Sequence, residues 1–503
     1  MDGASLSLAE VVAVAREGAS VELDPFRISA IADSRAVVDK ALSAGHPIYG
    51  INTGFGQLSD IPIAADQLEQ LQVNLLRSHA VGVGEPLRVD EVRAMILLRA
   101  NSLARGVSGV RLELIQFLIE FLNRGVHPVV PSQGSVGSSG DLAPLAHMAL
   151  VLVGEGQALY QSQWLSGAEA LDRAGLQPLT LQAKEGLALI NGTQLMAGVG
   201  ALVLHDALAL MEAAETAAAV SIDALMGTSA AFHAAIQEAR GQPGQIASAR
   251  RLRALLEGSE IGQAHRKSDH KVQDAYSLRC APQVFGAVRD AIEYVRQVIG
   301  REVNAATDNP LVFAGEGEII SGGNFHGQPV ALALDVLGLG LTQLGNFSER
   351  RTYKLLSPQE SGLPAFLTKN PGINSGLMIT QYTAAALASE NKVLAHPASA
   401  DSIPTSAGQE DFNSMGAAAA MKARRICDNV ATIIAIELIC AAQGLDFRRP
   451  LRSSAPVERA HSQVRAIVPE LDEDRSLSRE IQDLAAAVIA GQFGARLLSE
   501  LPA

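Results

Sequence analysis

The chain has 503 residues, of which 48% are hydrophobic, and it carries a formal net charge of −13. This acidic balance argues against a nucleic acid or an anionic membrane surface as a partner. Aromatic residues make up only 4% of the chain, while Ala, Leu and Gly are plentiful. Such a composition favours close packing of helices over sheets built from β-branched and aromatic residues, so we predict an all-α protein.

The three cysteines, Cys280, Cys427 and Cys440, lie far apart and show no CxxC spacing. This pattern argues against a disulfide scaffold and a structural zinc site, and it indicates a reducing compartment. The scattered histidines and acidic residues indicate no other metal site. Residues 1–17 have no basic segment followed by an apolar run, which predicts a cytoplasmic protein without a signal peptide.

Two long apolar windows resemble membrane spans only in part. Leu195–Met211 contains His205 and Asp206, and Ala431–Ala442 contains Glu437. Because ionisable groups are unfavourable at the centre of a bilayer, neither window is interpreted as a membrane span, and we predict a soluble protein. No association with a membrane is therefore expected.

Hydrophobic residues recur at helical spacing along most of the chain, and loops rich in Gly, Asn, Ser and Pro separate the helical segments. The predicted helices cover residues 64–79, 90–105, 108–123, 142–154, 185–225 with a break at 191–193, 283–304, 327–356, 376–395 and 415–443. Residues 227–280 are polar and are predicted to be rich in loops. We divide the chain into a smaller N-terminal helical region, 1–200, and a bundle of long helices, 201–503, which together form one continuous unit.

The segment Gly134–Leu145 combines three glycines with several serines ahead of an apolar helix. A backbone with so little shielding can approach itself closely. Attack of the Gly140 nitrogen on the Ser138 carbonyl carbon would close a five-membered ring, and dehydration involving the Ser139 side chain would leave an exocyclic methylene. The product would be an electrophile, which ordinary side chains do not supply. The alternative is a plain loop with Asp141 as a helix N-cap.

Three other positions offer side chains for acid–base or binding chemistry. Tyr49, in the glycine-punctuated loop 49–56, would act as a base only if its surroundings lowered the pKa of the phenol; otherwise it is a packing residue. Arg279, in the segment 273–280, would hold a carboxylate with two parallel hydrogen bonds, unless it is an ion-paired surface residue. Glu410 would accept a hydrogen bond from an N–H group and would be left unpaired against an apolar group.

The string Gly134–His147 resembles the cofactor-forming segment of the histidine and aromatic amino-acid ammonia-lyase family, and the similarity runs from about Tyr49 to at least Gly444. In that family the central triplet, usually Ala-Ser-Gly, becomes 4-methylideneimidazole-5-one. Here the triplet 138–140 reads Ser-Ser-Gly, and its first residue contributes only its α-carbon and carbonyl to the ring. The resemblance implies a fumarase/aspartase-like helical fold, no external cofactor, and a homotetramer whose active sites are shared between subunits.

The resemblance also implies roles for individual residues. The catalytic set that it implies is Tyr49, Ser138, Ser139, Gly140 and Tyr276, with Asp141 and Phe325 supporting the cofactor. The substrate-binding set is Ser78, His79, Asn191, Gln273, Arg279, Phe325, Met378 and Glu410. Without the resemblance, Asn191 would be a helix kink or cap, Phe325 a core residue and His79 a structural or solvated residue at a helix end.

The pair Ser78-His79 and Glu410 resemble the histidine-specific members, whereas Phe412 departs from them because they often carry His after Gln-Glu-Asp. The implied reaction is deamination of L-histidine, a small-molecule substrate, to trans-urocanate and ammonia. Tyrosine or phenylalanine is the alternative substrate, and an aminomutase would share every motif except the pocket residues. A helical lyase without the ring, for which the chain lacks a clear Gly-Ser-Ser-x-x-Pro-x-Lys loop, and a non-enzymatic helical oligomer are further alternatives.

Overall fold

The computed structural model describes residues 1–45, 47–54, 58, 60–267 and 272–499. Helices dominate these residues. They are α1 (Leu8–Arg16), α2 (Ile28–Ala44), α3 (Leu68–His79), α4 (Val89–Ala104), α5 (Leu112–Arg124), α6 (Leu142–Leu152), α7 (Gly167–Arg173), α8 (Glu185–Ile190), α9 (Gln194–Ala224), α10 (Ala234–Arg240), α11 (Pro243–Leu256), α12 (Glu260–Lys267), α13 (Tyr276–Arg279), α14 (Ala281–Glu302), α15 (Gln328–Leu356), α16 (Pro358–Ser361), α17 (Met378–Leu394), α18 (Gly416–Asp446), α19 (Ala455–Ile467), α20 (Ser478–Ile489) and α21 (Arg496–Ser499).

The strands are short and form local antiparallel ribbons. They are β1 (Val83–Pro86), β2 (His127–Pro128), β3 (Pro131–Gln133), β4 (Gln157–Tyr160), β5 (Gln163–Ser166), β6 (Leu311–Phe313) and β7 (Glu318–Ile320). β1 pairs with β3, β4 lies between β2 and β5, and β6 pairs with β7. Because these ribbons are minor beside the helices, the predicted all-α class is confirmed.

Most predicted helices agree with the structure to within a few residues, but the loop-rich interpretation of 227–280 is wrong. That segment contains α10, α11 and α12. Gly241 ends α10 in the left-handed conformation, with φ of 77°, and Pro243 begins α11. The Gly-Gln-Pro-Gly sequence therefore separates two helices, as glycine after a helix end and proline in a first turn commonly do.

The chain divides into two compact units. The first unit comprises Met1–Val203, Arg296–Asp335 and Pro397–Met421, and the second comprises Leu204–Val295, Val336–His396 and Lys422–Ala503. Within the first unit, α4 packs against α1 and α5, while α3 packs against α6 and α8. The sequence-based division into 1–200 and 201–503 stays a prediction.

The core of the second unit contains a buried ion pair. Arg351 Nε and Nη2 donate hydrogen bonds of 2.5 and 2.8 Å to the Glu437 carboxylate, which also accepts one from Ser221 Oγ. The Arg351 guanidinium also lies 5.5 Å from the ring centroid of Phe285 and 5.1 Å from that of Phe347. Each charge is thus compensated by partners, as burial of ionised groups requires.

Three of the described helices, α9, α15 and α18, are long and apolar enough to cross a membrane by length and composition alone. Between 67% and 89% of their most apolar windows is buried inside the protein. Arg351 in α15 and Glu437 in α18 are among the buried charges. Burial within a helical core therefore accounts for their apolar character.

Candidate functional site

A cavity of about 1050 Å³ lies in the first unit. Its wall is built from loops and helix ends that are distant in sequence. Among the site residues expected from the sequence, those that line it are Tyr49, His79, Ser138, Ser139, Asn191, Phe325 and Glu410. Phe412 lines it as well. The fold therefore gathers a tyrosine, an imidazole, a carboxylate and the serine-rich loop around one space.

The serine-rich loop is held against the break between α8 and α9. The Asp141 N–H donates a 2.7 Å hydrogen bond to the Gly192 carbonyl, and Gly140 forms a bridge with Gly192. Gly140 has a φ of 78°, and a Cβ added there would lie 2.1 Å from the Gly192 carbonyl oxygen. Only glycine fits this position, because both the backbone conformation and the contact exclude a side chain.

Asp141 precedes α6, but its side chain does not cap that helix. Its carboxylate is fully buried and accepts hydrogen bonds of 2.9 Å from Ser135 Oγ and from the Met196 N–H in the first turn of α9. Asp141 thus ties the serine-rich loop to α9. Burial raises the pKa of the Asp141 carboxyl to about 6, although both donors oppose the shift.

Replacing Asp141 with asparagine is expected to remove a pH dependence of stability. A pKa that folding raises from 3.8 to about 6 favours the folded state fully below pH 3.8, and this contribution is lost as the pH rises through about 6. The difference corresponds to about 3 kcal/mol. Urea denaturation of both proteins across this window should show the wild type losing stability relative to Asp141→Asn as the pH rises. A constant difference between the two would contradict the assignment.

Asn191 presents an unsatisfied acceptor at the cavity. Its Nδ2 donates a 2.9 Å hydrogen bond to the backbone carbonyl of Asn309, and its backbone carbonyl accepts one of 2.7 Å from Arg99 Nη1. Asn191 is only 2% exposed, and its Oδ1 has no hydrogen-bond partner among the described residues. A buried acceptor without a partner is unfavourable, so this oxygen is available to a donor that enters the cavity.

A buried charged layer supports Asn191 and Asn309. Lys184 Nζ donates a 2.7 Å hydrogen bond to Asp308 Oδ2, and both side chains are fully buried. Burial lowers the pKa of the Arg99 guanidinium to about 10. Sequence reasoning missed these three residues. The signal that could have revealed one of them is an arginine within the apolar run of α4.

The tautomer of His79 follows from its neighbours. His79 Nδ1 lies 2.9 Å from the Leu75 carbonyl oxygen and 3.0 Å from Ser78 Oγ, which itself donates to the same carbonyl. A carbonyl only accepts, so Nδ1 carries the proton and Nε2 is an acceptor. Burial lowers the pKa of His79, while the Leu75 carbonyl and Glu410 oppose the shift. His79 is therefore a neutral imidazole with an acceptor nitrogen.

Glu410 and Phe412 belong to one segment of the cavity lining, residues 406–412. Glu410 Oε1 accepts a 3.3 Å hydrogen bond from Ser139 Oγ, and Oε2 accepts one of 2.7 Å from Thr405 Oγ1. The Phe412 ring stacks on His326 with 6.2 Å between centroids. His326 Nδ1 accepts from a backbone N–H, so its Nε2 donates to the Phe412 carbonyl at 3.0 Å.

Gln273, Tyr276, Arg279 and Met378 belong to the second unit and are absent from this lining. The Arg279 guanidinium lies 4.8 Å from the centroid of the Tyr276 ring. It has no hydrogen-bond or ion-pair partner among the described residues, and its buried Nε is unsatisfied. Tyr276 is 69% exposed. This pair thus offers a cation and a phenol that have no hydrogen-bond or ion-pair partner within the described part of the chain.

Phe55 and Gly56 of the loop that carries Tyr49 lie outside the described residues. Across the residues that the structure does describe, no group of three or more His, Cys, Asp or Glu side chains could hold a metal ion.

A helical fold with a serine-rich loop pressed against a helix break defines the class of protein. The chain belongs to the aromatic amino acid lyase family, whose sequence pattern matches residues 6–466. This match covers both compact units and every site residue named above.

Within this family, the chain is similar to histidine ammonia-lyases and to a tyrosine aminomutase. The histidine ammonia-lyase of Symbiobacterium thermophilum is 56% identical over 98% of this chain and 96% of its own length. The crystal structure of histidine ammonia-lyase from Trypanosoma cruzi has a TM-score of 0.92 and 45% identity, covering 100% of this chain and 95% of that one. Tyrosine aminomutase from Streptomyces globisporus superposes with a TM-score of 0.93 at 38% identity, covering 100% and 99%. The fold alone does not separate these activities, whereas sequence identity favours the histidine enzymes.

Proposed function

We propose that the protein is a carbon–nitrogen lyase that converts L-histidine to trans-urocanate and ammonia. The observation that carries this proposal is that Glu410 and a neutral His79 both line the cavity that Ser139 also lines. An imidazole has one N–H donor and one acceptor nitrogen, and Glu410 supplies an acceptor that a phenyl ring would leave unpaired. Full-length relatives at more than half identity carry the same activity in their names.

We further propose that Ser138, Ser139 and Gly140 form 4-methylideneimidazole-5-one, with no external cofactor. This group would supply the electrophile that makes the substrate amine a better leaving group. The residues fit this group, because position 140 accepts only glycine. The next residue, Asp141, is held in place by hydrogen bonds from Ser135 and Met196. The half-buried Ser139 lines the cavity, where the reactive carbon would be needed.

In this proposal the cavity residues bind the substrate and move its protons. The Tyr49 phenolic oxygen removes the β-hydrogen. Asn191 Oδ1, which lacks a partner among the described residues, accepts a hydrogen bond from the substrate. Phe325 packs beside the reacting group and limits the access of water. Glu410 and His79 hold the imidazole ring, so that the β-carbon is fixed relative to the base.

The second-unit residues are assigned to sites shared between subunits of a homotetramer. Arg279 binds the substrate carboxylate, Tyr276 acts beside it, and Gln273 and Met378 complete the pocket. Two observations support this proposal. The Arg279 guanidinium has no hydrogen-bond or ion-pair partner among the described residues, and the Tyr276 ring beside it is exposed. The acidic net charge argues against nucleic acid as a partner, and we propose a cytoplasmic location.

Replacing Tyr49 with phenylalanine is expected to lower kcat about 10²- to 10⁴-fold, the usual contribution of a general base. Since the ring is kept, KM for histidine should change by only about threefold. Steady-state rates of urocanate formation test this. A kcat within threefold of the wild type would remove Tyr49 from the role of base.

The proposed function is tested by incubating the protein separately with L-histidine, L-tyrosine and L-phenylalanine. The ultraviolet absorbance of the unsaturated acid is followed in each case. Urocanate from histidine is the expected product. Coumarate or cinnamate without urocanate would contradict the substrate, and a β-amino acid product would indicate an aminomutase instead.

A further inference from the structure

Thr405 holds Glu410 by three contacts within one loop. Its hydroxyl donates to Glu410 Oε2 at 2.7 Å. Its backbone N–H donates to the Glu410 carbonyl at 2.9 Å, and the Glu410 N–H returns a weaker bond of 3.4 Å. Between the two residues, Ser406 and Ala407 have φ values of 50° and 53° and make the tight turn. The loop therefore fixes both the backbone and one carboxylate oxygen of Glu410.

Asn413 determines the direction of the Thr405 hydroxyl. Asn413 is 1% exposed, and its Nδ2 donates to Thr405 Oγ1 at 3.2 Å and to the Ile403 carbonyl at 2.6 Å. With one Thr405 lone pair taken by this amide, the hydroxyl hydrogen is directed to Glu410. Glu410 Oε2 is consequently an acceptor in a two-step chain that begins at a buried amide.

The other carboxylate oxygen is left for the substrate. In the unmodified chain Glu410 Oε1 is 3.3 Å from Ser139 Oγ, the oxygen that the proposed dehydration removes. Once that hydroxyl has left, Oε1 loses this donor while Oε2 stays bound to Thr405. A carboxylate held in this way offers one oriented acceptor to an N–H group entering the cavity.

We propose that Thr405, oriented by Asn413, is a positioning residue that sets the preference for a substrate side chain with an N–H donor. This role rests on the proposed function, in which the substrate is an imidazole amino acid. Thr405 acts through Glu410 and does not bind the substrate itself. Losing its hydroxyl frees the carboxylate to rotate, and this rotation weakens recognition of a ring N–H without affecting a ring that has none.

The test compares Thr405→Val, which keeps the shape but lacks the hydroxyl, with Thr405→Ser, which keeps the hydroxyl. The probes are 3-(imidazol-4-yl)propionate and 3-phenylpropionate, unreactive analogues whose inhibition or binding constants are measured. We expect Thr405→Val to weaken binding of the imidazole analogue about 10- to 100-fold. Binding of the phenyl analogue should weaken less than about threefold. Thr405→Ser should restore binding of the imidazole analogue to within about threefold of the wild-type value. Thr432→Val is a matched control, since the Thr432 hydroxyl donates only to the Asp428 carbonyl.

The outcomes separate the two proposals. If Thr405→Val weakens binding of both analogues equally, or weakens binding of neither, the positioning role is overturned. If the wild type makes urocanate while Thr405→Val keeps its imidazole preference, only the positioning role fails. If the wild type makes no urocanate, the proposed function fails, and the preference for the imidazole analogue and its loss in Thr405→Val still decide the role of Thr405.

Discussion

Replacing Ser139 with alanine is expected to lower kcat/KM for L-histidine about 10⁴-fold or more, the largest effect of any single change considered. Alanine has no hydroxyl to lose, so the methylene cannot form. The residual protein keeps the cavity and its binding groups, because within the described part of the chain the Ser139 side chain makes one hydrogen bond, to Glu410. Folding, measured by circular dichroism and thermal unfolding, should therefore stay close to the wild type.

Ser138→Ala is the matched control for this variant. The side chain at position 138 takes no part in the proposed ring, and alanine there gives the Ala-Ser-Gly sequence usual in the family. We expect activity within about tenfold of the wild type and an intact mass that still lacks two water molecules. Comparable activity of Ser139→Ala and Ser138→Ala would contradict the assignment of Ser139.

Replacing Lys184 with methionine is expected to lower the free energy of unfolding by about 3–5 kcal/mol, since it leaves the Asp308 carboxylate buried without its partner. Asp308 Oδ1 accepts a 2.7 Å hydrogen bond from the Asn309 N–H, and the Asn309 carbonyl holds Asn191. Disturbing Asp308 should therefore also move a cavity residue. Urea denaturation and the KM for histidine measure the two effects.

Lys369→Met provides the comparison. Lys369 Nζ lies 2.6 Å from Asp472 and 2.8 Å from Glu470, but these side chains are largely exposed. Exposed ion pairs contribute about 0–1 kcal/mol, so this variant should lose little stability and no affinity for substrate. Equal losses in the two lysine variants would contradict the importance of burial at Lys184.

Local sequence signals predicted much of the fold. The break between α8 and α9 was expected from Asn191-Gly192-Thr193, and the structure places it at these residues. The helical period likewise predicted α4 and α18 to within a few residues. Such features depend on neighbours in the chain, and a local pattern contains the information they require.

Other features depend on contacts between distant residues, and no local pattern contains them. The pairing of Lys184 with Asp308 joins positions 124 residues apart. Asp141 stands where an N-cap is expected, yet its carboxylate binds Met196 of another helix. Thr405 acquires a role only because a tight turn returns the chain to Glu410. Tertiary packing decides each of these, and propensity and spacing do not.

The central claim is that the chain makes its own electrophile at residues 138–140. Tandem mass spectrometry of the peptide that spans these residues, taken from protein that is turning over L-histidine, tests it most directly. The peptide is predicted to be lighter than its sequence by two water molecules, with the loss confined to the Ser-Ser-Gly triplet. A peptide of unmodified mass in protein that forms urocanate would contradict the claim.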